Sequence, residues 1–140
     1  MNIYQFEISI KPKPRGFSLI TGEIEKQIPA LKNIKRGIAH IFIMHTSAGL
    51  TVNENADPSV RRDFETFFNR LVPEDTSMYE HTAEGADDMV SHIKNSLLGS
   101  SVTLPVKDGH FHTGTWQGIY LCEFRNRSRN RNLTVTIFGE

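Results

Sequence analysis

The segment over residues 57–71 constrains the fold most, because it is the clearest helix in a chain whose other periodic segments favour strands. Asp57 is a favourable N-cap residue, and Pro58 suits the first helical position. Apolar side chains then recur at the spacing of one helix face until Pro73. An amphipathic helix must bury its apolar face against another layer, so the segment predicts a helix packed on β-structure.

More helices and several strands complete the predicted pattern. Helices are predicted over residues 85–98 and, with Pro29 disfavouring the last turn, over residues 20–31. Residues 4–10 alternate between apolar and polar, which predicts a half-buried strand. Residues 37–44 hardly alternate, which predicts a strand buried on both faces. Further strands are predicted at residues 50–53, 102–106, 117–124 and 133–138, the last two as a hairpin.

The length and composition predict one α+β domain over residues 1–140 that is soluble and cytoplasmic. The 16 basic and 16 acidic residues give a net charge of zero, which argues against nucleic acid or an anionic membrane surface as a partner. The only cysteine, Cys122, cannot form an internal disulfide, which favours a reducing compartment. No signal peptide is recognisable at the start, and the longest apolar run is too short for a membrane helix.

The loop over residues 45–49 is a first candidate site. It follows the predicted strand at residues 37–44, and ligand sites favour such loops. The hydroxyl groups of Thr46 and Ser47, together with free loop N–H groups, can hold an oxyanion. Asn53 and Glu54 follow soon after and belong to the same polar block. The alternative is a turn whose hydroxyl groups bond to its own backbone.

A second group of polar side chains lies on the predicted helices. Asp63 borders the apolar stripe of the first helix. Asp88 and His92 are four residues apart and are therefore neighbours on one helix face. That face points away from the predicted apolar stripe. If the pair carries chemistry, something other than the chain's own core must cover it, and a neighbouring subunit would serve; otherwise it is an ordinary solvated pair. The stripe comprises Ala86, Met89, Val90, Ile93 and Leu97.

Histidine is the third source of candidates. The chain has six histidines, and two or three imidazoles with a carboxylate make a typical zinc or transition-metal site. No H-E-x-x-H motif or cysteine pair fixes such a site locally. His110 and His112 would share one face of a strand and could chelate an ion. His40, inside an apolar run, is predicted to be a hydrogen-bonded structural residue.

The predicted hairpin loop is rich in arginine, which favours bidentate contacts with phosphate or carboxylate. Arg125 and Arg131 flank the loop beside the predicted strands and are the better candidates for binding a substrate. Arg127 and Arg129 are predicted to be solvated loop residues. Glu123 lies at the boundary of an apolar strand face and would need a metal ion or a cationic partner.

Three blocks of the sequence resemble the YjbQ family, which is described as a family of secondary thiamine-phosphate synthase enzymes. They are HTSAGLTVNENADPSVRRDFE from His45, YEHTAEGADDMVSHIKNSLLGSS from Tyr79 and GTWQGIYLCEFRN from Gly114. The match keeps the family's order of blocks and runs over nearly the whole chain. The resemblance implies an α+β domain with mixed or antiparallel sheets in a sandwich-like arrangement and two to three helices. It also implies a homotrimer with a cleft at or near the subunit interface.

The resemblance implies a reaction as well. A pyrimidine diphosphate is joined to a thiazole phosphate with release of pyrophosphate, and a divalent ion, zinc or magnesium, neutralises the leaving group. His110 and His112 are dropped as ligands, because relatives often carry other residues there. The predicted metal ligands are His45, His81 and His92, the predicted catalytic carboxylates are Glu54, Asp63, Asp88 and Glu123, and the predicted substrate-binding residues are Thr46, Ser47, Asn53, Arg125 and Arg131.

Two other functions use the same residues. One is metal-dependent hydrolysis of a small phosphate ester, and the other is a non-catalytic trimer that binds a metal ion or a small anion. The sequence contains no recognisable nucleophile motif or phosphate-binding loop. This absence favours metal-assisted chemistry or simple binding over covalent catalysis.

Overall fold

Two antiparallel sheets and three helices form the computed structural model, which describes residues 1–140. The larger sheet has the strand order β1-β8-β3-β5-β6, and the smaller has the order β2-β7-β4. The strands are β1 (Asn2–Ile10), β2 (Gly16–Leu19), β3 (Arg36–Ile43), β4 (Ala48–Glu54), β5 (Ser101–Lys107), β6 (His110–Phe111), β7 (Gln117–Glu123) and β8 (Arg131–Gly139). The helices are α1 (Thr21–Gln27), α2 (Pro58–Leu71) and α3 (Ala86–Leu98), with 3-10 turns at Pro29–Asn33 and Thr76–Met78. The predicted α+β class is confirmed.

The two sheets share one apolar core, because alternate side chains of each point toward the other. Ile41 and Val135 of the larger sheet belong to the same buried cluster as Leu50 and Leu121 of the smaller one. Ile24 of α1 joins this cluster as well. The sandwich-like arrangement implied by the resemblance is therefore present.

The opposite face of the smaller sheet packs against α2 and α3. Phe17, Tyr120 and Phe124 form a second buried cluster, against which Phe64 and Phe68 of α2 pack. The order of layers is thus larger sheet, smaller sheet, then helices. This order leaves the outer face of the larger sheet without a covering layer within the chain. Each of the three helices lacks the length and apolar character that a membrane-spanning helix requires.

The uncovered face corrects the prediction for β3. Ala39, Ile41 and Ile43 are buried, whereas Ile38 is 54% exposed and Phe42 is 40% exposed. The strand therefore alternates in burial, and within the chain the prediction of burial on both faces is wrong. His40 lies beside Phe42 on the outer face and makes no side-chain hydrogen bond, so its predicted hydrogen-bonded role is wrong as well.

The predicted hairpin of β7 and β8 is also wrong, because the two strands lie in different sheets. β7 pairs with β2 and β4, while β8 pairs with β1 and β3. Nine consecutive register pairs join β1 to β8, from Asn2 opposite Gly139 to Ile10 opposite Arg131. The arginine-rich loop is consequently a crossing between sheets, which places its two ends next to different elements.

The helices begin and end largely as predicted, but α3 buries an unexpected face. Asp57 caps α2 by accepting a hydrogen bond from the Ser59 N–H at 2.9 Å. α1 ends at Gln27, before Pro29, so the predicted helix over residues 20–31 is shorter and continues as a 3-10 turn. In α3 the buried residues are Asp87, Asp88, Val90, Ser91 and Lys94.

Only part of the predicted apolar stripe of α3 is buried: Val90 is inaccessible, whereas Ala86 is exposed and Leu97 is 56% exposed. The polar face can be buried because partners from other elements satisfy it. Arg125 pairs with Asp87 and Asp88, and Asn69 accepts a hydrogen bond from Lys94 at 2.7 Å.

Candidate metal centre

Three side chains converge at the N-terminal half of α3. The Oδ2 atom of Asp88 lies 2.7 Å from Nε2 of His81 and 3.2 Å from Nε2 of His92. One ligand atom from each residue lies within 4.8 Å of the others. The predicted contact between Asp88 and His92 is confirmed. His81 joins them because the turn before α3 folds its ring back over the helix.

The orientation of His92 is fixed from its other side. Its Nδ1 donates a hydrogen bond to the carbonyl oxygen of Thr46 at 2.9 Å, when the proton is placed on that nitrogen. A neutral ring then directs the lone pair of Nε2 toward the carboxylate of Asp88. Two acceptors at 3.2 Å require a proton or a metal ion between them. Histidine metal ligands typically donate a hydrogen bond from their second ring N–H to a carbonyl oxygen.

Asp88 is ionised in this setting. It is 2% exposed, and this burial opposes the charged form. The hydrogen bond from His81 and the positive charge of Arg125 outweigh the burial, and they hold the pKa of Asp88 below its ordinary value. The predicted need for cover from outside the apolar core is met within the chain, because Arg125 and His81 cover Asp88.

Arg125 is fully committed to holding this region. Its Nε donates to Asp87 at 3.0 Å, one terminal nitrogen donates to Asp88, and the other donates to the carbonyl oxygen of Glu84 at 3.1 Å. A guanidinium group used in this way has no free edge for a substrate phosphate. Arg125 was predicted to bind substrate, but in the structure it holds the carboxylate of Asp88 and the turn before α3.

Glu123 and Arg131 form a buried ion pair beside the loop over residues 45–47. They are 0% and 1% exposed, and Nε of Arg131 lies 2.8 Å from Oε1 of Glu123. Arg131 also donates to the hydroxyl group of Ser47 at 3.0 Å and to its carbonyl oxygen at 3.3 Å. The predicted cationic partner of Glu123 is thus Arg131, and the pair supports the loop that contacts His92.

His45 lies apart from the three converging residues. Its Nε2 accepts a hydrogen bond from the Asn132 N–H at 2.8 Å. Burial, followed by the positive charges of Arg131 and Arg129, holds the pKa of His45 below its ordinary value, which favours the neutral ring this bond requires. Of the three predicted histidine ligands, the structure brings together His81 and His92.

Three predicted residues lie elsewhere. Asn53 and Glu54 occupy the far end of β4, where Glu54 accepts hydrogen bonds at 3.0 Å from the N–H groups of residues 56 and 57. Asn53 accepts a hydrogen bond from the Glu54 N–H at 2.8 Å. Asp63 is exposed on α2 and makes no side-chain hydrogen bond. Within the chain, none of the three contacts the converging histidines.

Sequence reasoning missed Asp87. This residue is 8% exposed and accepts hydrogen bonds from Arg125 and from the Asn126 N–H at 2.8 Å. The available signal was the adjacent pair Asp87–Asp88 combined with an arginine-rich loop. Nothing in the sequence fixes which arginine meets which aspartate.

The donor set fits a transition metal better than magnesium. Two imidazole nitrogens and one carboxylate oxygen suit zinc and its neighbours, whereas magnesium prefers oxygen ligands. Three protein ligands with a remaining open position are typical of catalytic zinc sites. The side chain of His81 is 49% exposed, so the cluster is open to solvent on that side.

Comparison with known proteins identifies the family. The family model described as UPF0047 protein YjbQ-like matches residues 6–140. The UPF0047 protein YjbQ of Escherichia coli O157:H7 is 50% identical over 137 residues, which cover 98% of this chain and 99% of that protein. The UPF0047 protein YugU of Bacillus subtilis is 38% identical over 120 residues, which cover 86% of this chain and 87% of that protein.

Solved structures agree with this result. A YbjQ-like protein of unknown function from Sulfolobus solfataricus superposes with a TM-score of 0.84 at 28% identity, over 99% of each chain. An uncharacterised YjbQ/UPF0047 family protein from Clostridium acetobutylicum gives a TM-score of 0.82 at 36% identity, over 95% of this chain and 99% of that one. By sequence and by fold, this chain belongs to the YjbQ (UPF0047) family.

Proposed function

We propose that this chain is a metal-dependent transferase that acts on small phosphorylated molecules, with His81, Asp88 and His92 as the metal ligands. The observation that carries the proposal is the convergence of two imidazoles on one ionised carboxylate oxygen, with distances of 2.7 and 3.2 Å. The reaction itself comes from the resemblance, which implies the joining of a pyrimidine diphosphate to a thiazole phosphate.

The residues around the proposed metal ligands have separate roles. A bound divalent ion supplies Lewis-acid stabilisation of charge on a phosphate oxygen. The Thr46 carbonyl oxygen fixes the ring of His92, and Arg125 fixes the carboxylate of Asp88. The exposed side of His81 leaves room for a substrate oxygen to approach.

The substrate phosphate needs cations that are still free. Arg127 and Arg129 lie on the crossing loop, are exposed, and make no side-chain hydrogen bond or ion pair. The exposed Thr46 stands at the neighbouring loop. We therefore assign phosphate binding to these residues, because the guanidinium groups of Arg125 and Arg131 are already paired with carboxylates.

Hydrolysis of a phosphate ester is a second candidate. The nitrogen-rich donor set favours it, because zinc sites with an open position commonly activate water near neutral pH. The reaction would use the same ligands and the same free arginines. The two reactions differ in the atom that is attacked. In the transferase, the thiazole nitrogen would attack the pyrimidine carbon that carries the diphosphate and release pyrophosphate, whereas in the hydrolase water would attack phosphorus and release the alcohol.

A turnover assay tests the function. Purified protein loaded with zinc is incubated with the two thiamine precursors, and pyrophosphate and thiamine phosphate are measured separately. Parallel reactions contain a simple phosphate monoester. We expect product in the first reaction from the wild-type protein and none from His81→Ala.

Monoester hydrolysis without joined product would replace the transferase by the hydrolase. Bound zinc with neither product would contradict both reactions and leave a metal-binding protein. His110→Ala serves as the matched control, because this histidine is exposed and distant in the fold from α3. A loss of turnover in His110→Ala equal to that in His81→Ala would contradict the assignment of the site.

We also propose that the chain works in the cytoplasm as the homotrimer that the resemblance implies. A row of apolar side chains crosses three neighbouring strands on the outer face of the larger sheet. Ile3, Phe138 and Ile38 are 67%, 45% and 54% exposed, and their backbones are paired in register. A contiguous apolar face of this kind suits contact between copies.

Light scattering after gel filtration tests this part. Wild-type protein is expected at three times the chain mass, and Ile38→Asp is expected to shift toward the monomer. The control is Lys107→Asp, which changes a charge on the same face beside the row. A wild-type monomer would refute the trimer. An unaltered trimer in Ile38→Asp would show that the outer face of the larger sheet is not the contact between copies.

A further inference from the structure

We infer that Arg125 is a positioning residue of the metal centre, which sets the carboxylate of Asp88 and the turn that follows His81. This role differs from the binding of a substrate phosphate. It rests on the proposed metal site, and it concerns how that site is held rather than which residues bind the ion.

The guanidinium group of Arg125 is hydrogen-bonded through all of its nitrogens. The side chain of Arg125 is 15% exposed, and each of its three nitrogens has a different partner. They reach the carboxylate of Asp87 at 3.0 Å, Oδ1 of Asp88, and the carbonyl oxygen of Glu84 at 3.1 Å. The three partners belong to the start of α3 and to the turn before it.

Arg125 also determines which oxygen of Asp88 faces the histidines. Arg125 occupies Oδ1, while both histidine contacts are made by Oδ2. The guanidinium group thereby prevents the carboxylate from rotating and presents one oxygen to the ligand position. Supporting hydrogen bonds of this kind orient metal ligands and tune their affinity.

Arg125 also fixes the turn that carries His81. Its ring comes from the segment before α3, and Glu84 lies between it and the helix. Because Arg125 binds the Glu84 carbonyl oxygen and Asp88 together, one side chain fixes the turn relative to the helix. Two of the three proposed ligands are therefore set by the same residue.

Arg125 is itself held rigidly. Its backbone N–H donates to Oε2 of the buried Glu123 at 3.2 Å. The next residue, Asn126, donates its backbone N–H to Asp87 at 2.8 Å and accepts a hydrogen bond from Arg15 at 2.9 Å. The planar fork of arginine makes this three-way contact, whereas the ammonium group of lysine is a single compact charge on a flexible stem.

The test measures zinc affinity without any phosphorylated ligand. Wild-type protein, Arg125→Lys and Arg70→Lys are titrated with zinc against a competing chelator in phosphate-free buffer. Both variants keep the net charge, and Arg70 is exposed in the last turn of α2. We expect Arg125→Lys to bind zinc about 10- to 100-fold more weakly, and Arg70→Lys to bind like the wild type.

Each outcome has a separate meaning. Wild-type zinc affinity in Arg125→Lys overturns the positioning role alone, and so does a loss of thermal stability without a loss of zinc affinity. Failure of the folded wild-type protein to bind zinc refutes the proposed metal site, and the inference with it. Asp87→Asn provides a second variant if Arg125→Lys does not fold, and a smaller loss of zinc affinity is expected there. Unchanged affinity in Asp87→Asn would then count against the role.

Discussion

The two ends of β4 carry similar polar residues but use them differently. At the start of the strand, the loop over residues 45–47 bonds to distant elements: Thr46 contacts His92 of α3, and Ser47 contacts Arg131 of β8. At the far end, the side chains of Glu54 and Asn53 accept hydrogen bonds from N–H groups within the next three residues. Long-range contacts assemble side chains into a site, whereas local contacts close a turn.

Strand length explains why the two blocks do not form one site within the chain. β4 runs from Ala48 to Glu54, and an extended strand advances about 3.3 Å per residue, so its ends lie roughly 20 Å apart. The neighbouring strand follows the same division, since Glu123 pairs with Ala48 while Gln117 pairs with Glu54. Adjacency in the sequence therefore does not mean adjacency in space here.

The largest expected effect comes from removing the charge of Glu123, which lies on β7 opposite the start of β4. Glu123→Gln leaves Arg131 buried without its counter-ion and is expected to lower the free energy of unfolding by about 3–5 kcal/mol. Glu54→Gln makes the same chemical change at the far end, where the amide oxygen can still accept the turn hydrogen bonds. We expect a loss of about 1 kcal/mol or less there. Urea unfolding of both variants measures the difference, and equal losses would remove the distinction between the two ends.

A smaller effect is expected at the hydroxyl group that supports the far end. Tyr120 is buried, donates to the Glu54 carbonyl oxygen and accepts a hydrogen bond from Arg61 at 3.0 Å. Tyr120→Phe removes both bonds and is expected to cost about 1 kcal/mol of unfolding free energy without altering zinc affinity. Tyr4→Phe, at a half-exposed position, is the control. Weaker zinc binding in Tyr120→Phe would show that the two ends are coupled.

The smallest expected effect is the pH dependence that His45 contributes. Its pKa lies below the ordinary value of about 6.5 in the folded chain, because of burial first and then the charges of Arg131 and Arg129. As the pH falls below about 6.5, the unfolded chain takes up a proton that the folded chain does not, so stability decreases.

Unfolding at pH 7.5 and pH 5.5 measures this contribution. The wild type is expected to lose more stability over this interval than His45→Gln, which cannot titrate at this position. His40→Gln, on the outer face of the larger sheet, controls for the removal of a histidine. An identical pH response in the wild type and His45→Gln would contradict the neutral, hydrogen-bonded state of His45.

Local pattern predicted the elements well, and long-range pairing limited the rest. The Asp57 cap, the alternation of β1 and the α+β class all follow from neighbouring residues, and each is confirmed. The β7–β8 hairpin was wrong because strand partners are chosen by the whole fold. In α3, burial of a charged face depended on Arg125 and Asn69, which lie far away in the sequence.

In the candidate site, too, local contacts were predictable from the sequence and long-range contacts were not. The spacing of Asp88 and His92 predicted their contact, since four residues bring two side chains together on a helix. His81 lies seven residues before Asp88, across a turn in which Gly85 has φ +115. Such a backbone suits glycine, but its direction cannot be derived from the spacing alone. The roles of the arginines likewise depend on which carboxylates the folded loop meets.

Zinc titration of two matched carboxylate variants tests the central claim most directly. Asp88→Asn and Glu54→Gln each replace a carboxylate by an amide, one on α3 and one at the far end of β4, and bound zinc is counted per chain by elemental analysis. We predict one zinc ion per chain in the wild type and in Glu54→Gln, and at least about 100-fold weaker binding in Asp88→Asn, with His81→Ala as a second ligand variant. Wild-type affinity in both Asp88→Asn and His81→Ala, or an equal loss in Glu54→Gln, would contradict a metal centre at the start of α3.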